Sequence, residues 1–230
     1  MKVIKAGYEI LTPISKGGII ELQHIEKVAR VCYKSENCIS SNGESAKKMI
    51  GMLISRDHTA MIEHSSLSVK FIVDRGVSHE LVRHRIASFA QESTRYCNYS
   101  KDKFDNGITF IVPSWFEYVP SYYNSLLNKE ITSEHFKDSE LDWLQQMQSA
   151  EDCYLRLLDM GWTPQEARSV LPNSTKTEII VTANYREWRN FFKLRTAKAA
   201  HPQMREITIP LLKELQKKIP IILDDIEVEE

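Results

Sequence analysis

The sequence predicts an α+β protein: mixed helices around a mainly antiparallel sheet, one domain over residues 1–230 with a helical extension, and no Rossmann unit. Three observations lead there. Helix-period and strand-period segments are interspersed, without the regular strand–helix–strand alternation of a doubly wound sheet. The eight glycines form neither G-x-G-x-x-G nor G-x-x-x-x-G-K, so no glycine turn is present to cradle a dinucleotide. The composition, 42% hydrophobic and 27% charged, is that of a folded chain. It excludes disordered, collagen-like and disulfide-scaffold classes.

The elements follow in order. Residues 21–35 place Ile25, Val28, Ala29 and Cys32 on one helical face. Ser45 is read as the cap of a second helix running through Met52 and Leu53. Leu67, Val69, Phe71 and Val73 alternate with polar neighbours, the period of a half-buried strand. Gly76 ends that strand, and Ser78 is read as the cap of a short helix over 79–85. Residues 108–112, Ile-Thr-Phe-Ile-Val, are a second strand. The segment 115–130 is aromatic-rich and irregular. A long helix over about 133–160 turns Leu144, Met147, Tyr154, Leu155 and Leu158 inward, with Gly161 as its C′ residue.

Thr163-Pro164-Gln165-Glu166 is a capping box with proline at the first helical position, and Pro172 limits the helix it opens. Residues 178–182 are a β-branched strand. Residues 185–195 turn Trp188, Phe191 and Phe192 to a core while Arg186, Arg189, Asn190 and Lys193 project elsewhere. A last helix covers about 203–218 and stops before Pro220.

Charge is balanced overall, with a net −1, so bulk electrostatics gives no reason to expect a nucleic-acid or membrane partner. Its distribution is uneven. Residues 186–205 hold six cations (Arg186, Arg189, Lys193, Arg195, Lys198, Arg205) against Glu187 alone, and the acidic tail begins at Asp224. Such a segment is either a solvated helix face or a place prepared for an anion. No run approaches the ~18 apolar residues of a membrane span. Cys32, Cys38, Cys97 and Cys153 form no C-x-x-C pair, consistent with reduced thiols in the cytoplasm.

His58-x-x-x-x-Glu63-His64 invites a metal reading but has the wrong spacing: histidines at i and i+4 share a helix face, whereas six residues turn the second away by about 240°. No metal site is expected. Arg83-His84-Arg85 is the sharpest local feature. Two guanidiniums flank an imidazole, with Ser88, Gln91, Ser93 and Arg95 following and Glu80 and Glu92 nearby. Those groups suit phosphate and heteroaromatic recognition, or a surface ion-pair network.

Arg83-His84-Arg85, then seven residues, then Ser93, resembles the R-H-R-x7-S signature of the flavin-dependent thymidylate synthases. Gly161 through Pro172 is similar to that family's G-x5-A-R-x2-L-P block. The segments 182–186 and 191–195 fall at the family's spacing, and matching blocks cover about 55–205. The resemblance implies methylation of dUMP to dTMP, with methylenetetrahydrofolate supplying the carbon and FAD reduced by NADPH supplying the hydride. It implies FAD contacts at His58, Arg83, His84, Arg85, Gln91, Asn184, Arg186 and Asn190. It implies a dUMP site of Glu80, Arg83, Ser93, Arg95, Arg168 and Arg195, with Arg195 stabilising the ionised pyrimidine. It also implies a homotetramer with active sites at subunit interfaces. Ala60, Ala90 and Ala199 stand where the family usually has polar residues.

The residue chemistry agrees. Uracil C5 is a poor nucleophile, and the alternative route, addition of a cysteine to C6, uses a Pro-Cys pair that is absent here. Electrostatic activation by a fixed cation remains. The competing class is a nucleic-acid-binding module. It would use the Arg83-His84-Arg85 cluster, with Trp115, Phe116, Tyr118, Tyr122 and Tyr123 as stacking groups.

Overall fold

In the computed structural model, residues 1–119, 123 and 136–228 are described. The strands are β1 (Lys2–Ile4), β2 (Gly7–Ile10), β3 (Ser66–Asp74), β4 (Ser88–Gln91), β5 (Thr109–Ile111) and β6 (Lys176–Asn184). The α-helices are α1 (Ile19–Val31), α2 (Glu44–Ser55), α3 (Arg75–Leu81), α4 (Asp138–Asp159), α5 (Pro164–Ala167), α6 (Tyr185–Arg195) and α7 (Pro202–Lys218). A mainly antiparallel four-stranded sheet has the order β2-β3-β6-β4, and β1 pairs with β5 in parallel. The α+β expectation holds.

The chain forms two compact units: Met1–Gly7, Phe71–Val82 and Ala90–Ile179 make one, and Tyr8–Lys70, Arg83–Phe89 and Ile180–Glu230 the other. The first unit is built on Val3, Ile108, Phe110, Leu144 and Tyr154, all buried in one apolar cluster. In the second, α1 packs on α2 and α6 on α7. The core there includes Leu22, Ile25, Trp188, Phe192 and Leu211, each at most 1% exposed.

β3 and β6 bury every second residue, as the period of two requires. Gly161, at φ +93°, follows α4 as expected of a residue that only glycine adopts without strain. In the 163–166 capping box the Thr163 amide donates to Glu166 Oε2 at 2.8 Å.

Several local readings are corrected. α1 ends at Val31 rather than 35, because Lys34 takes a positive φ of 49°, and Cys32 is exposed. The cap of α2 is Gly43 at φ +78°, where a Cβ would collide with the Ile19 side chain. Ser45 lies inside the helix and donates instead to Glu26. Asp74 caps α3, its carboxylate accepting from the Val77 amide at 2.8 Å. Ser78 is buried within that helix. A strand-terminal aspartate at extended φ/ψ is better placed to cap than a serine four residues on. α4 starts at Asp138. The expected helical residues 133–135, Tyr122 and most of the irregular aromatic segment lie outside the described residues.

Candidate functional site

Within the second unit, β6 ends in Asn184, whose side-chain oxygen accepts from the Glu187 amide at 2.9 Å and so starts α6. The helix is strongly one-sided. Trp188, Phe191 and Phe192 face the core, which fixes where the polar residues between them emerge. Asn184, Arg186, Glu187 and Asn190, with Glu63 and Ile86, line a cavity of about 430 Å³. Arg186 pairs with Glu63 at 2.5 Å.

The middle residue of Arg83-His84-Arg85 behaves unlike its neighbours. His84 is buried at 7% exposure, while Arg83 and Arg85 are exposed. The His84 ring stands edge-on to Phe191, with centroids 4.9 Å apart. Its Nδ1 lies 2.9 Å from Glu187 Oε1, and Arg195 Nε donates to its Nε2 at 3.0 Å. Burial pushes the His84 pKa below the usual imidazole value. Glu187 opposes that shift and the Arg195 charge adds to it. A neutral imidazole results, with Nδ1–H donating and Nε2 accepting.

The cation-rich segment is therefore not one patch. Arg195 joins His84, at the C-terminal end of α6 where the helix dipole favours a cation. Arg189, expected to project away from the core, is instead 6% exposed and donates in two parallel bonds to Asp225 of the acidic tail. Those bonds, against the opposing effect of burial, lower the Asp225 pKa. His58 is exposed at the rim of a separate, mainly apolar cavity of about 270 Å³ with Cys32, Leu53, Ala60 and Met61.

The first unit holds the other expected site residues: Glu80 on α3, Gln91 at the end of β4, Ser93, Arg95 and Arg168. Gln91 Nε2 donates to Ser78 Oγ at 2.9 Å. The Arg95 guanidinium lies over the Tyr96 ring. Arg168 donates to Thr94 Oγ1 at 3.3 Å and, with Arg75, His79 and Asn173, lines a cavity of about 500 Å³. The expected flavin and nucleotide sets thus both divide between the units, and Arg195 shares its unit with Arg83 but not with Arg168.

Sequence reasoning missed Glu187, noted only as the lone anion among cations. The Asn184-x-x-Glu187 spacing marks a helix start, but nothing in it directs the carboxylate to His84.

Residues 21–221 match the family model described as thymidylate synthase complementing protein. The chain is 32% identical over 202 residues to the flavin-dependent thymidylate synthase of Geobacter sulfurreducens, covering 86% of this chain and 78% of that protein. It is 28% identical over 206 residues to the enzyme of the same name from Corynebacterium glutamicum, and 29% over 206 residues to that of Mycobacterium avium. Both of these matches cover 89% of this chain and 79% of the relative.

Proposed function

The chain belongs to the flavin-dependent thymidylate synthase family, and from that premise we propose how its own residues carry the family's reaction. The reaction is reductive methylation of dUMP to dTMP, with methylenetetrahydrofolate as carbon donor and FAD reduced by NADPH as hydride source. The nucleic-acid-binding alternative is withdrawn. The family match does not support it, His84 is buried, and two of the five stacking groups face aromatic neighbours, Phe116 with Trp143 and Tyr118 with Phe136.

One observation carries the mechanistic reading: a guanidinium, Arg195, held from behind by a buried neutral histidine. A fixed cation stabilises negative charge on the pyrimidine without reorganising during the reaction, and C5 becomes nucleophilic. The proposed nucleotide set is Glu80, Arg83, Ser93, Arg95 and Arg168, with Arg195. The donor chemistry fits FAD. Exposed Arg83 and Arg85, Asn184, Asn190 and Arg186 offer guanidinium and amide groups to phosphates and ring heteroatoms where glycine loops are lacking. His58, His84 and Gln91 complete the proposed flavin set. When bound, FAD supplies the hydride. The deciding experiment is tritium release from 5-tritiated dUMP by protein supplied with FAD, NADPH and methylenetetrahydrofolate. No release from flavin-loaded protein would refute the reading.

Purified protein is expected to be yellow and to bleach with NADPH. Replacing Arg83 and Arg85 together by alanine should lower flavin retention, read by absorbance after desalting. Lysine should rescue only in part, because it lacks the bidentate fork. Unchanged retention would remove these arginines from the flavin site.

No cysteine acts as nucleophile in this proposal. Cys97 lies nearest the signature, and burial, aided by Glu92, raises its pKa, which keeps it a thiol. Cys97→Ser should keep measurable turnover in the same tritium assay. Complete loss in folded, flavin-loaded protein would overturn the mechanism.

We further propose that residues 1–230 act as one synthase domain in the cytoplasm, assembled as a homotetramer with shared sites. Among the described residues no helix is long and apolar enough to cross a membrane. Three ligands must meet on a chain whose sequence has no glycine-rich dinucleotide turn, and clefts between subunits supply concave surface. Trp115 is 57% and Tyr118 48% exposed, the kind of aromatic surface enriched at interfaces. Light scattering should give four times the 26.7 kDa chain mass. A monomer at micromolar concentration would refute the assembly.

A further inference from the structure

Building on the function proposed above, we propose that Glu187 is a positioning residue for the reaction: its carboxylate sets the tautomer of His84, and His84 in turn holds Arg195. Donor and acceptor capacity fixes the tautomer. Arginine Nε–H can only donate, so the bond from Arg195 Nε to His84 Nε2, 3.0 Å, requires an unprotonated Nε2. A neutral imidazole with a bare Nε2 carries its proton on Nδ1. That N–H is buried and needs an acceptor. Glu187 Oε1 lies 2.9 Å away and provides it.

Glu187 is itself held on both sides. Its backbone amide is capped by Asn184 Oδ1 at 2.9 Å, and Asn190 Nδ2 is 3.3 Å from both of its carboxylate oxygens. At 7% exposure it has little water to turn toward. Phe191, against the His84 ring, restrains ring rotation. The Nε bond sets the plane of the Arg195 guanidinium, and hence the directions in which its terminal nitrogens donate. A carboxylate also brings negative charge into a low-dielectric region beside a cation that must stay in place before substrate arrives. The same logic operates where an outer carboxylate orients a ligating histidine, and loss of such a partner costs about 10–100-fold.

The test uses full-length protein labelled with 15N in its histidine rings, with His84→Gln protein to assign the His84 signals. At neutral pH the wild-type spectrum should show His84 neutral with the proton on Nδ1, with or without flavin. An Nε2–H or doubly protonated His84 overturns the proposal whatever the variants do. On flavin-saturated protein, Glu187→Ala should leave the KM for dUMP near wild type, lower kcat about 10–100-fold, and shift His84 away from the Nδ1–H form.

Glu187→Gln can still accept from Nδ1–H but brings no charge. It should keep the tautomer and lower kcat by about tenfold. Wild-type turnover in Glu187→Ala overturns the proposal. If that variant fails to fold, Glu187→Gln decides: reduced kcat at unchanged KM supports the role, and unchanged kcat overturns it. Failure of the proposed reaction is distinguishable, because it would appear as absent tritium release in the wild type, whereas the histidine spectrum is read without any turnover.

Discussion

Arg195→Ala is expected to lower turnover on dUMP by about 10²–10³-fold, the scale for losing one preorganised charge-stabilising group. Flavin content should change little, so the loss should appear in kcat measured on flavin-saturated protein. The local structure supports an effect on rate rather than on folding. Arg195 is the last residue of α6, and its backbone is anchored independently of its side chain: Thr208 Oγ1 donates to the Arg195 carbonyl at 3.0 Å. Thr196 Oγ1 closes the helix end by donating to the Phe192 carbonyl at 2.8 Å. Truncation therefore removes the guanidinium and leaves the helix end pinned. It also removes the donor to His84 Nε2, which can then take a water instead. A rate within tenfold of wild type would show that another group ionises the pyrimidine, and Arg168 would be the next candidate to test.

Trp188→Ala should be the most damaging stability change near the site, at about 3–5 kcal/mol. The side chain is 1% exposed. It stacks on Phe192, with centroids 5.7 Å apart at 28°, and meets Phe191 edge-on at 5.2 Å. Its indole Nε1 donates to the Leu67 carbonyl at 3.0 Å, joining α6 to the start of β3. Alanine leaves a cavity and takes a donor from a buried carbonyl, and both effects destabilise. In a chain of this size the midpoint of thermal unfolding should fall by roughly 10 °C. Calorimetry on flavin-free protein would measure it without contribution from ligand binding. A drop of less than about 2 °C would mean that the aromatic cluster repacks around the void. Because His84 leans on Phe191, which leans on Trp188, flavin-loaded Trp188→Ala that remains folded should also lose turnover.

Much of this protein was legible from local pattern. The alternation at 67–73 and the one-sided aromatic spacing of 188–192 locate β3 and α6, because side-chain direction repeats every two residues in a strand and every 3.6 in a helix. The capping box at Thr163 and the glycine after α4 could be read for the same reason: a cap is satisfied within three or four residues. Capping failed as a reading where a competing local conformation won. Gly43 reaches positive φ and starts α2 ahead of Ser45, and Asp74 starts α3 ahead of Ser78.

The class of reaction was legible through the motif blocks that resemble the family, which the match over residues 21–221 bears out. The destination of each charge was not. Arg189 and Arg195 lie six residues apart on one helix, yet one neutralises Asp225 of the tail and the other meets His84, 111 residues away in sequence. Glu187 looked like a stray anion until the fold placed it beside His84, 103 residues away. A hydrogen bond of about 3 Å depends on which distant segment the core brings within reach. No spacing along the chain encodes that. Trp188, Phe191 and Phe192 decide it by fixing how α6 is turned against the residues around His84.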